Sequence, residues 1–412
     1  MGVGMGKHQV FSGRNRWGGS LNDLANSIQQ TSDGGYIVAG NTNSNNGDVS
    51  SNHGGYDCWV IKLDNSSNIQ WQKSYGSSQD DGAASIQQTS DGGYVFAGYS
   101  GSNDGDVSGH HLLDDFWVVK LDSTGGIQWQ KSLGGSSYED AYSVRQTTDG
   151  GYIIAGYSFS IDGDVTGNHN GYDYWVVKLD STGTIQWQKS LGGSSADYAL
   201  SIQQTTDGGY IVAGWSLSND GDVTGNHDTS DYWIVKLDDT GFIQWQKSLG
   251  GTSNDEANSI QQTNDGGYIV AGSSKSNDGD VTGNHGNWDY WVVKLDGAGT
   301  IQWQKSLGGT GDDEAYSIQQ TTDGGYIVAG TSYSNNGDVS NNHGYYDCWI
   351  VKLNAAGTIQ WQKSLGGPDY DGANSIQQTN DGGFVVAGWA CNNGGDVTGN
   401  HASQDFWIVK LN

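Results

Sequence analysis

Aspartate and histidine side chains recur at a fixed spacing in this sequence, and together they could bind a metal ion. Seven segments of the type NDGDVTGNHxxxD carry an aspartate, a histidine five residues later and a second aspartate four residues after that. Ca²⁺ takes six to eight oxygen ligands from carboxylates and carbonyls, so the first aspartates are the candidate calcium ligands. These are Asp48, Asp106, Asp164, Asp222, Asp280, Asp338 and Asp396.

Two other interpretations of these segments stay open. The Asp and His side chains could bond the backbone of a loop too long to satisfy itself, or they could hold a transition metal. A complete D-x-D-x-D-G calcium pattern is missing, because Asn46 and Asn336 stand where other segments have Asp220 and Asp278. One histidine per segment is also too few ligands for a typical transition-metal site. The structural interpretation is therefore favoured over calcium, and calcium over a transition metal.

Aromatic residues at variable positions beside these segments suggest a second chemistry, the binding of sugars. A flat apolar ring next to hydrogen-bonding groups is what carbohydrate sites use. The candidate ligand-binding residues are Tyr99, Tyr157, Trp215 and Trp389 after the Ala-Gly pair, Tyr56, Tyr172, Trp288 and Tyr346 before the second aspartate, and the histidines His53, His111, His169, His227, His285, His343 and His401. Neutral drift at exposed positions explains the same aromatic residues and is the favoured alternative.

Catalysis is not predicted. A catalytic site needs one asymmetric group of acid, base or nucleophile, whereas a sevenfold repeat offers equal copies. The sequence contains no Gly-x-Ser-x-Gly elbow, no phosphate-binding loop and no Cys/His zinc spacing. A glycan hydrolase or lyase is therefore the third hypothesis, behind two binding roles.

A repeat of constant length must position all of these side chains. Its Asp-Gly-Gly triplets begin at Asp33, Asp91, Asp149, Asp207, Asp265, Asp323 and Asp381, with 58 residues in every interval. In the fourth repeat, strand-like segments span 200–205, 210–216, 231–237 and 242–248, and no segment has helical periodicity. Seven four-stranded units without helices predict an all-β fold, a seven-bladed β-propeller of four-stranded blades.

The phase of the two chain ends predicts how the ring closes. The sequence stops after a third-strand segment, and residues 1–17 align with a fourth strand, with Gly18-Gly19 matching Gly192-Gly193. We expect this N-terminal segment to be the closing outer strand of the last blade, because pairing the two ends closes the ring, whereas an open solenoid would leave both ends frayed. Residues 1–412 would then form a single β-propeller domain whose closing blade is the least regular.

The connections of such a propeller fall on two faces. Loops between second and third strands and linkers between blades share one face, and the tight turns share the other. The long polar segments therefore lie together on the first, the long-loop face, where we expect any binding site. We also expect Lys236 and its equivalents to pair with carboxylates, Trp233 and its equivalents to pack between blades, and copies of Gln203 and Gln204 to line a polar axial channel.

The charge of the chain limits its partners. Its 412 residues include 46 acidic and 18 basic ones, giving a formal net charge of −28. Such a surface repels nucleic-acid phosphate and anionic lipid, and no apolar run reaches the length of a membrane span. We therefore expect a carbohydrate or protein partner, no nucleic acid, no membrane insertion and a monomeric ring. Cys58 and Cys348 stand where other repeats have aromatic residues, and are interpreted as small apolar substitutes.

The pattern LGG-S-x-x-[DE]-x-A-x-S-I, GGY-[IV]-x-AG and D-x-W-[VI]-V-K-L resembles the bacterial seven-bladed propeller repeat called SBBP over essentially the whole chain. It departs from that repeat at the Gln-Gln pair of the first strand and the Trp-Gln-Lys of the fourth. The resemblance implies a propeller of a secreted or surface-attached bacterial protein, with no established catalytic residues. Residues 1–9 lack the apolar segment of a signal peptide, so either a signal was removed or the chain is not exported.

The sequence therefore predicts a non-catalytic binding or scaffold propeller. The leading hypothesis is a multivalent, lectin-like glycan-binding protein with pockets between neighbouring blades on the long-loop face. The alternative is a structural or protein-interaction propeller, including a recently amplified or engineered symmetric ring with no small-molecule ligand.

Overall fold

Seven blades of four antiparallel strands surround a central axis in the computed structural model of this protein. The structure describes residues 16–399, 401 and 403–412. Within these residues the chain forms 28 β-strands and no helix. The described part accordingly has no helix with the length and apolarity needed to cross a membrane. The predicted all-β, seven-bladed propeller is confirmed.

In the first six blades the strands pair in chain order, in the last blade a strand from the start of the chain is added on the outside, and the first strand of every blade lines the axis. The strands are β1 Arg16–Trp17, β2 Asp23–Gln30, β3 Tyr36–Thr42, β4 Asp57–Leu63, β5 Ile69–Tyr75, β6 Asp81–Gln88, β7 Tyr94–Ser100, β8 Asp115–Leu121, β9 Ile127–Leu133, β10 Glu139–Gln146, β11 Tyr152–Ser158, β12 Asp173–Leu179, β13 Ile185–Leu191, β14 Asp197–Gln204, β15 Tyr210–Ser216, β16 Asp231–Leu237, β17 Ile243–Leu249, β18 Asp255–Gln262, β19 Tyr268–Ser274, β20 Asp289–Leu295, β21 Ile301–Leu307, β22 Asp313–Gln320, β23 Tyr326–Ser332, β24 Asp347–Leu353, β25 Ile359–Leu365, β26 Asp371–Gln378, β27 Phe384–Cys391 and β28 Gln404–Leu411.

The fourth blade shows why these residues form these strands. Its first hairpin turns at Gly208, whose φ of +88° is a conformation that glycine adopts without strain. The second strand, β15, is almost entirely buried, as its continuous apolar sequence predicts, and the fourth, β17, is mostly half-exposed. The predicted bounds of β15 and β16 are confirmed. The first strand, β14, begins three residues earlier than predicted, because the ladder extends to Asp197 opposite Ser216.

The last blade is closed by residues from the start of the chain. β1 pairs antiparallel with β28, with Arg16 opposite Trp407 and Trp17 opposite Phe406. The rest of the predicted closing strand, residues 1–15, lies outside the described residues. Trp17 is buried among side chains of both the last and the first blade, so its burial stabilises the closure of the ring at this junction.

The hydrophobic core is divided among the seven junctions between blades. At the junction of blades three and four, Trp233 packs against Tyr174 with ring centroids 4.5 Å apart. The Tyr174 hydroxyl donates to the Trp233 carbonyl at 2.8 Å, and the indole N–H of Trp233 donates to Gln246 at 2.9 Å. Cys58 and Cys348 are buried free thiols in two of these cores. The tryptophans therefore pack between blades, as expected.

Candidate functional site

At the tight-turn face, the aspartate of each Asp-Gly-Gly turn is paired with a lysine. In the fourth blade, Nζ of Lys236 lies 2.9 Å from a carboxylate oxygen of Asp207, and the same pair occurs in every blade. Asp207 also accepts hydrogen bonds from the Thr205 hydroxyl and the Gly209 N–H. Partial burial opposes ionisation, but these donors together lower the pKa of Asp207 below its usual value. The predicted lysine–carboxylate pairing is confirmed, and it stabilises the turn.

On the long-loop face, each predicted histidine binds the second aspartate of its own loop. In blade four, the backbone N–H of His227 donates to Oδ2 of Asp231 at 3.1 Å, and Nδ1 lies 2.7 Å from the same oxygen. All seven blades repeat the pair, with Nδ1 to Oδ2 distances from 2.6 to 3.0 Å. The histidine is partly exposed and the aspartate fully buried. Desolvation acts against a charged ring, but the hydrogen bond and charge of Asp231 raise the pKa of His227.

A second buried carboxylate stands beside each of these aspartates, across the junction to the next blade. At the junction of blades four and five, a Cβ built on Gly250 would lie 2.6 Å from Oδ1 of Asp231 and 2.5 Å from Oδ2 of Asp255. Both acids are fully buried. Two carboxylates therefore converge on one glycine, which explains why no larger residue stands there.

The same convergence occurs at all seven junction glycines, which are Gly18, Gly76, Gly134, Gly192, Gly250, Gly308 and Gly366. The paired acids are Asp405 with Asp23, Asp57 with Asp81, Asp115 with Glu139, Asp173 with Asp197, Asp231 with Asp255, Asp289 with Asp313, and Asp347 with Asp371. In every pair, Oδ1 of the third-strand aspartate has no hydrogen-bond partner among the described residues. We call these buried acids the acid belt.

Burial makes the acid belt reluctant to ionise. Desolvation raises the pKa of Asp231, Asp197 and Asp313 to about 6, although hydrogen bonds to their carboxylates oppose the shift. The neighbouring carboxylate adds to the effect, since the charge of Asp255 also raises the pKa of Asp231. At neutral pH the belt therefore concentrates negative charge where water is excluded.

The predicted calcium ligands lie at the same junctions, where they bind the backbone. Asp280 accepts a hydrogen bond from the N–H of Gly250 at 3.4 Å, and its own N–H donates to the Gly250 carbonyl at 2.8 Å. Asp48, Asp106, Asp164, Asp222 and Asp338 hold their junction glycines in the same way, and Asp396 binds Gly366 through its backbone. No group of three or more His, Cys, Asp or Glu side chains in the described residues has the arrangement of a metal site. Calcium binding stays a prediction.

Arg16, which the sequence analysis did not single out, places a positive charge in the acid belt. It occupies the serine position of the other fourth strands, and its guanidinium lies 3.4 Å from Oδ2 of Asp405, with both side chains fully buried. It also donates to the carbonyls of Ala390 and Asn392. Desolvation lowers the pKa of Arg16, while Asp405 opposes this shift. The signal in the sequence is the departure from the repeated serine.

Four tyrosines form a stack at the junction of blades six and seven, which we call the tyrosine patch. Tyr345 and Tyr370 are nearly parallel, with ring centroids 5.0 Å apart and 8° between their planes. Tyr333 and Tyr346 extend the stack. The exposed fractions of Tyr333, Tyr345 and Tyr370 are 46%, 48% and 44%. Only Tyr346 was among the predicted ligand-binding residues, because the other three lie outside the two variable columns from which those residues were chosen.

A second aromatic group lies on blades three and four. Tyr198 stacks on Trp215 at a centroid distance of 4.3 Å and contacts Tyr157 and Tyr172 at 4.6 and 5.3 Å. Phe159 packs on Tyr172 at 4.7 Å. Three of the predicted aromatic residues, Tyr157, Tyr172 and Trp215, are thus brought together, and they cover much of one another's ring surface.

The other four predicted aromatic residues lie apart from these groups. Tyr99 and Trp389 lie against glycines of their own first strands. The ring of Trp288 is covered by Lys275, whose Nζ lies 4.7 Å from the ring centroid. The hydroxyl of Tyr56 accepts a hydrogen bond from a neighbouring asparagine. The predicted aromatic residues therefore do not form seven equivalent pockets.

The axial channel expected from Gln203 and Gln204 is present. A cavity of about 210 Å³ is lined by serine, isoleucine and the first glutamine of the first strands, such as Ser201 and Gln203. Gln204 does not line it, because its side-chain oxygen accepts the N–H of Thr148 in the preceding blade. Arg145 stands in the cavity where six blades have glutamine, a residue that the sequence analysis missed.

No protein-family model matches this chain, so the SBBP resemblance stays a prediction. The chain is 29% identical over 181 residues to the regulatory protein FlaEY of Caulobacter vibrioides. That match covers 41% of this chain and 19% of the length of FlaEY. What FlaEY does as a whole is therefore not transferred to this chain.

Solved structures share the fold at low sequence identity. The Pan2 WD40 domain of Neurospora crassa has a TM-score of 0.51 and 11% identity, covering 96% of this chain and 95% of that one. Puromycin hydrolase has a TM-score of 0.52 and 10% identity, covering 96% and 54%. BBS1N in complex with ARL6DN has a TM-score of 0.50 and 9% identity, covering 95% and 93%. A hydrolase and a protein-binding domain share this fold, so function must be argued from the site.

Proposed function

We propose that this chain is a non-catalytic binding propeller whose long-loop face binds neutral carbohydrate, with the tyrosine patch as the principal site. The stack of four partly exposed tyrosines, present at one junction of the seven, carries the proposal. Exposed apolar surface on a soluble protein marks a place where something binds. Flat rings beside hydrogen-bonding groups suit the apolar faces and hydroxyls of sugars.

Polar groups surround the tyrosine patch and supply the hydrogen bonds that sugar hydroxyls need. The hydroxyl of Tyr346 donates to Asp312 at 3.2 Å, and the amide of Asn342 holds the carbonyl of Tyr345 at 3.2 Å. The partly exposed ring of His343 lies on the same loop. The net charge of −28 disfavours acidic polymers, so the ligand class is a neutral glycan.

The distribution of aromatic groups supports two sites rather than seven. The tyrosine patch lies on blades six and seven, and the second aromatic group lies on blades three and four. Two sites on one rigid face can engage a repeating polymer together, which raises the overall affinity above that of either site.

The position of the acidic residues favours binding over hydrolysis. Glycoside hydrolysis needs two carboxyl groups that flank the bond to be cleaved. The carboxyl pairs of the acid belt are fully buried and repeated at every junction. A bound glycan would not reach them.

Binding of neutral oligosaccharides, screened on a glycan array and measured by titration calorimetry, tests the proposal. The double variant Tyr345→Asn/Tyr370→Asp gives this junction the residues of the preceding one, Asn287 and Asp312. We expect its affinity to fall at least about tenfold, because it removes the central rings of the stack. Phe242→Thr, on the opposite face, is the control and should bind unchanged. A wild-type protein that binds no neutral oligosaccharide would refute the proposal.

A protein partner on blades two to four is the second candidate, because aliphatic side chains are exposed there. Leu112 and Ile161 are 70% and 69% exposed. Asparagine stands at the Ile161 position in the six other blades and at the Leu112 position in blade three. Leu112→Asn/Ile161→Asn therefore removes the apolar groups and keeps a loop the fold accepts. A partner from source-cell extract that binds the wild type and not the variant would support this role, and equal retention by both would contradict it.

We propose that this binding role is exercised at the cell surface or outside the cell, as the SBBP resemblance would imply. Fractionation of the source cells tests it. Recovery of the protein in the cytosol alone would contradict the proposal.

A further inference from the structure

The axial cavity is lined by groups that donate hydrogen bonds. Its walls are the serine, isoleucine and glutamine side chains of the first strands, with Arg145 among them. No acidic residue is among the described residues that line it. This contrasts with the rest of a chain whose net charge is −28.

The glutamines that line the cavity accept hydrogen bonds from the backbone through their side-chain oxygen atoms. Oε1 of Gln203 accepts the backbone N–H of Gln262 in the next blade at 2.8 Å. The same bond, at 2.6 to 2.7 Å, is made by Gln29, Gln87, Gln261, Gln319 and Gln377. Because these bonds fix the orientation of each amide, the Nε2 group, which is only a donor, faces the cavity.

The serines of the first strands also accept hydrogen bonds from the backbone of the next blade. Oγ of Ser201 accepts the backbone N–H of Ile260 at 3.2 Å, and equivalent bonds run around the ring. Each hydroxyl then keeps its hydrogen to donate. Two rings of donors therefore surround the axis.

Arg145 adds a positive charge to these rings. Its Nη1 donates to the Val144 carbonyl at 2.8 Å and to the Ser85 hydroxyl at 3.2 Å. Among the described residues no carboxylate forms an ion pair with Arg145, and its side chain is partly exposed to the cavity. Desolvation lowers the pKa of Arg145. A partly desolvated guanidinium without a counter-ion is unfavourable, so an anion in the cavity would stabilise this arrangement.

We propose that the axial cavity binds one small oxyanion, held by Arg145, the glutamine amides and the serine hydroxyls. A guanidinium binds the oxygens of carboxylate or phosphate through paired N–H groups. A volume of about 210 Å³ admits inorganic phosphate or a short carboxylate and excludes a polymer. The negative charge of the whole chain disfavours anions elsewhere on it, so saturable anion binding reports this site.

Titration calorimetry of the whole chain with inorganic phosphate, at constant ionic strength near pH 7, tests the proposal. We expect one phosphate per ring, and at least about tenfold weaker binding to Arg145→Gln. This variant carries the residue found in six blades, so the ring is expected to fold. A wild type without saturable binding, or equal binding by the variant, would overturn the proposal.

A relocated charge gives a second measurement. The variant Arg145→Gln/Gln319→Arg places the guanidinium on another blade among the same donors, so phosphate binding should return. Failure to return would overturn the proposed role of the ring. A parallel titration with acetate shows whether a carboxylate is bound as well as phosphate. None of these results bears on carbohydrate binding, because the tyrosine patch is not part of the cavity.

Discussion

The two faces of the ring hold their acidic residues in opposite ways. At the tight-turn face, Asp265 lies 3.0 Å from Nζ of Lys294, and its hydrogen bonds outweigh partial burial and lower its pKa to about 2. At the long-loop face, Asp231 meets Asp255 across Gly250, and burial raises the pKa of Asp231 to about 6. The tight-turn face pairs each Asp-Gly-Gly aspartate with a lysine of the same blade, whereas the long-loop face holds two buried acids per blade beside one histidine.

Because of this difference, the stability of the long-loop face depends on pH and on its neighbouring groups more than that of the tight-turn face does. A carboxylate that is paired with lysine and bonded by backbone N–H groups needs nothing from solvent. Two carboxylates that share a dry space are stable together only if a proton or a donor stands between them. Stability of the ring should therefore respond to changes at the long-loop face more strongly than to equivalent changes at the tight-turn face.

The largest effect is expected from a methyl group at a junction glycine. Gly250→Ala would place its Cβ against oxygens of two buried carboxylates, at 2.5 and 2.6 Å, so both side chains must shift, which disturbs the hydrogen bonds that Oδ2 of Asp255 accepts. We expect a loss of about 3 kcal/mol in the free energy of unfolding, measured by urea denaturation.

The matched control for that variant is a glycine of the tight-turn face. Gly266→Ala meets no atom within 4 Å, but its φ of +80° is unfavourable for alanine. We expect about 1 kcal/mol of destabilisation from this strain alone. Equal losses in the two variants would show that the paired carboxylates do not crowd Gly250.

The next largest effect is a dependence of stability on pH. Asp197, Asp231 and Asp313 have a pKa raised to about 6, and burial raises the pKa of the other belt acids as well. The stability associated with Asp197, Asp231 and Asp313 is therefore fully present below the unfolded pKa of about 4 and is lost as pH rises through 6. The turn aspartates Asp265 and Asp323 have a pKa lowered to about 2, so their contribution to stability is present above about pH 4 and is lost toward pH 2. We expect the melting temperature to be on the order of 5 to 10 °C higher at pH 5 than at pH 8, and to fall again at pH 2.5. A melting temperature that rises from pH 5 to pH 8 would contradict this account.

Replacing one belt aspartate by asparagine distinguishes repulsion within a carboxyl pair from repulsion across the whole chain. Asp231→Asn keeps an oxygen for His227 and places an N–H donor where the unpartnered Oδ1 faces Asp255. We expect it to stabilise the ring by about 1 kcal/mol at pH 8 and not at pH 5, where the acid is protonated and donates itself. Asp265→Asn at the other face should instead destabilise at pH 8, by less than about 1 kcal/mol, because it weakens a partly exposed ion pair. Destabilisation by Asp231→Asn at both pH values would exclude repulsion within the pair.

Local sequence patterns made the tight-turn face predictable. Asp207, Gly208 and Lys236 lie within one blade, where hairpin chemistry and strand alternation fix their positions. The strands, the blade count and the packing of the tryptophans could be predicted for the same reason, since each follows from the 58-residue period.

The long-loop face could be predicted only in part. The pairing of Asp231 with Asp255 crosses two blades, and no spacing along the chain shows that both side chains turn toward Gly250. The tyrosine patch likewise combines a loop of blade six with the linker to blade seven, so Tyr370 was missed. Arg16 and Arg145 were visible as departures from repeated columns, but their chemistry depends on the partners that the fold gives them.

The smallest effect is expected from removing calcium. Asp280, a predicted calcium ligand, receives the Gly250 N–H on its carboxylate and binds the Gly250 carbonyl through its own N–H. The loop is therefore held by its backbone bonds, and we expect a chelator to change the melting temperature at pH 7 by less than about 1 °C. A fall of several degrees that Ca²⁺ reverses and Mg²⁺ does not would instead show that an ion bridges carboxylates at the junctions. Gly250→Ala, which disturbs the same carboxylates, should then lose the response to Ca²⁺, and Gly266→Ala should keep it.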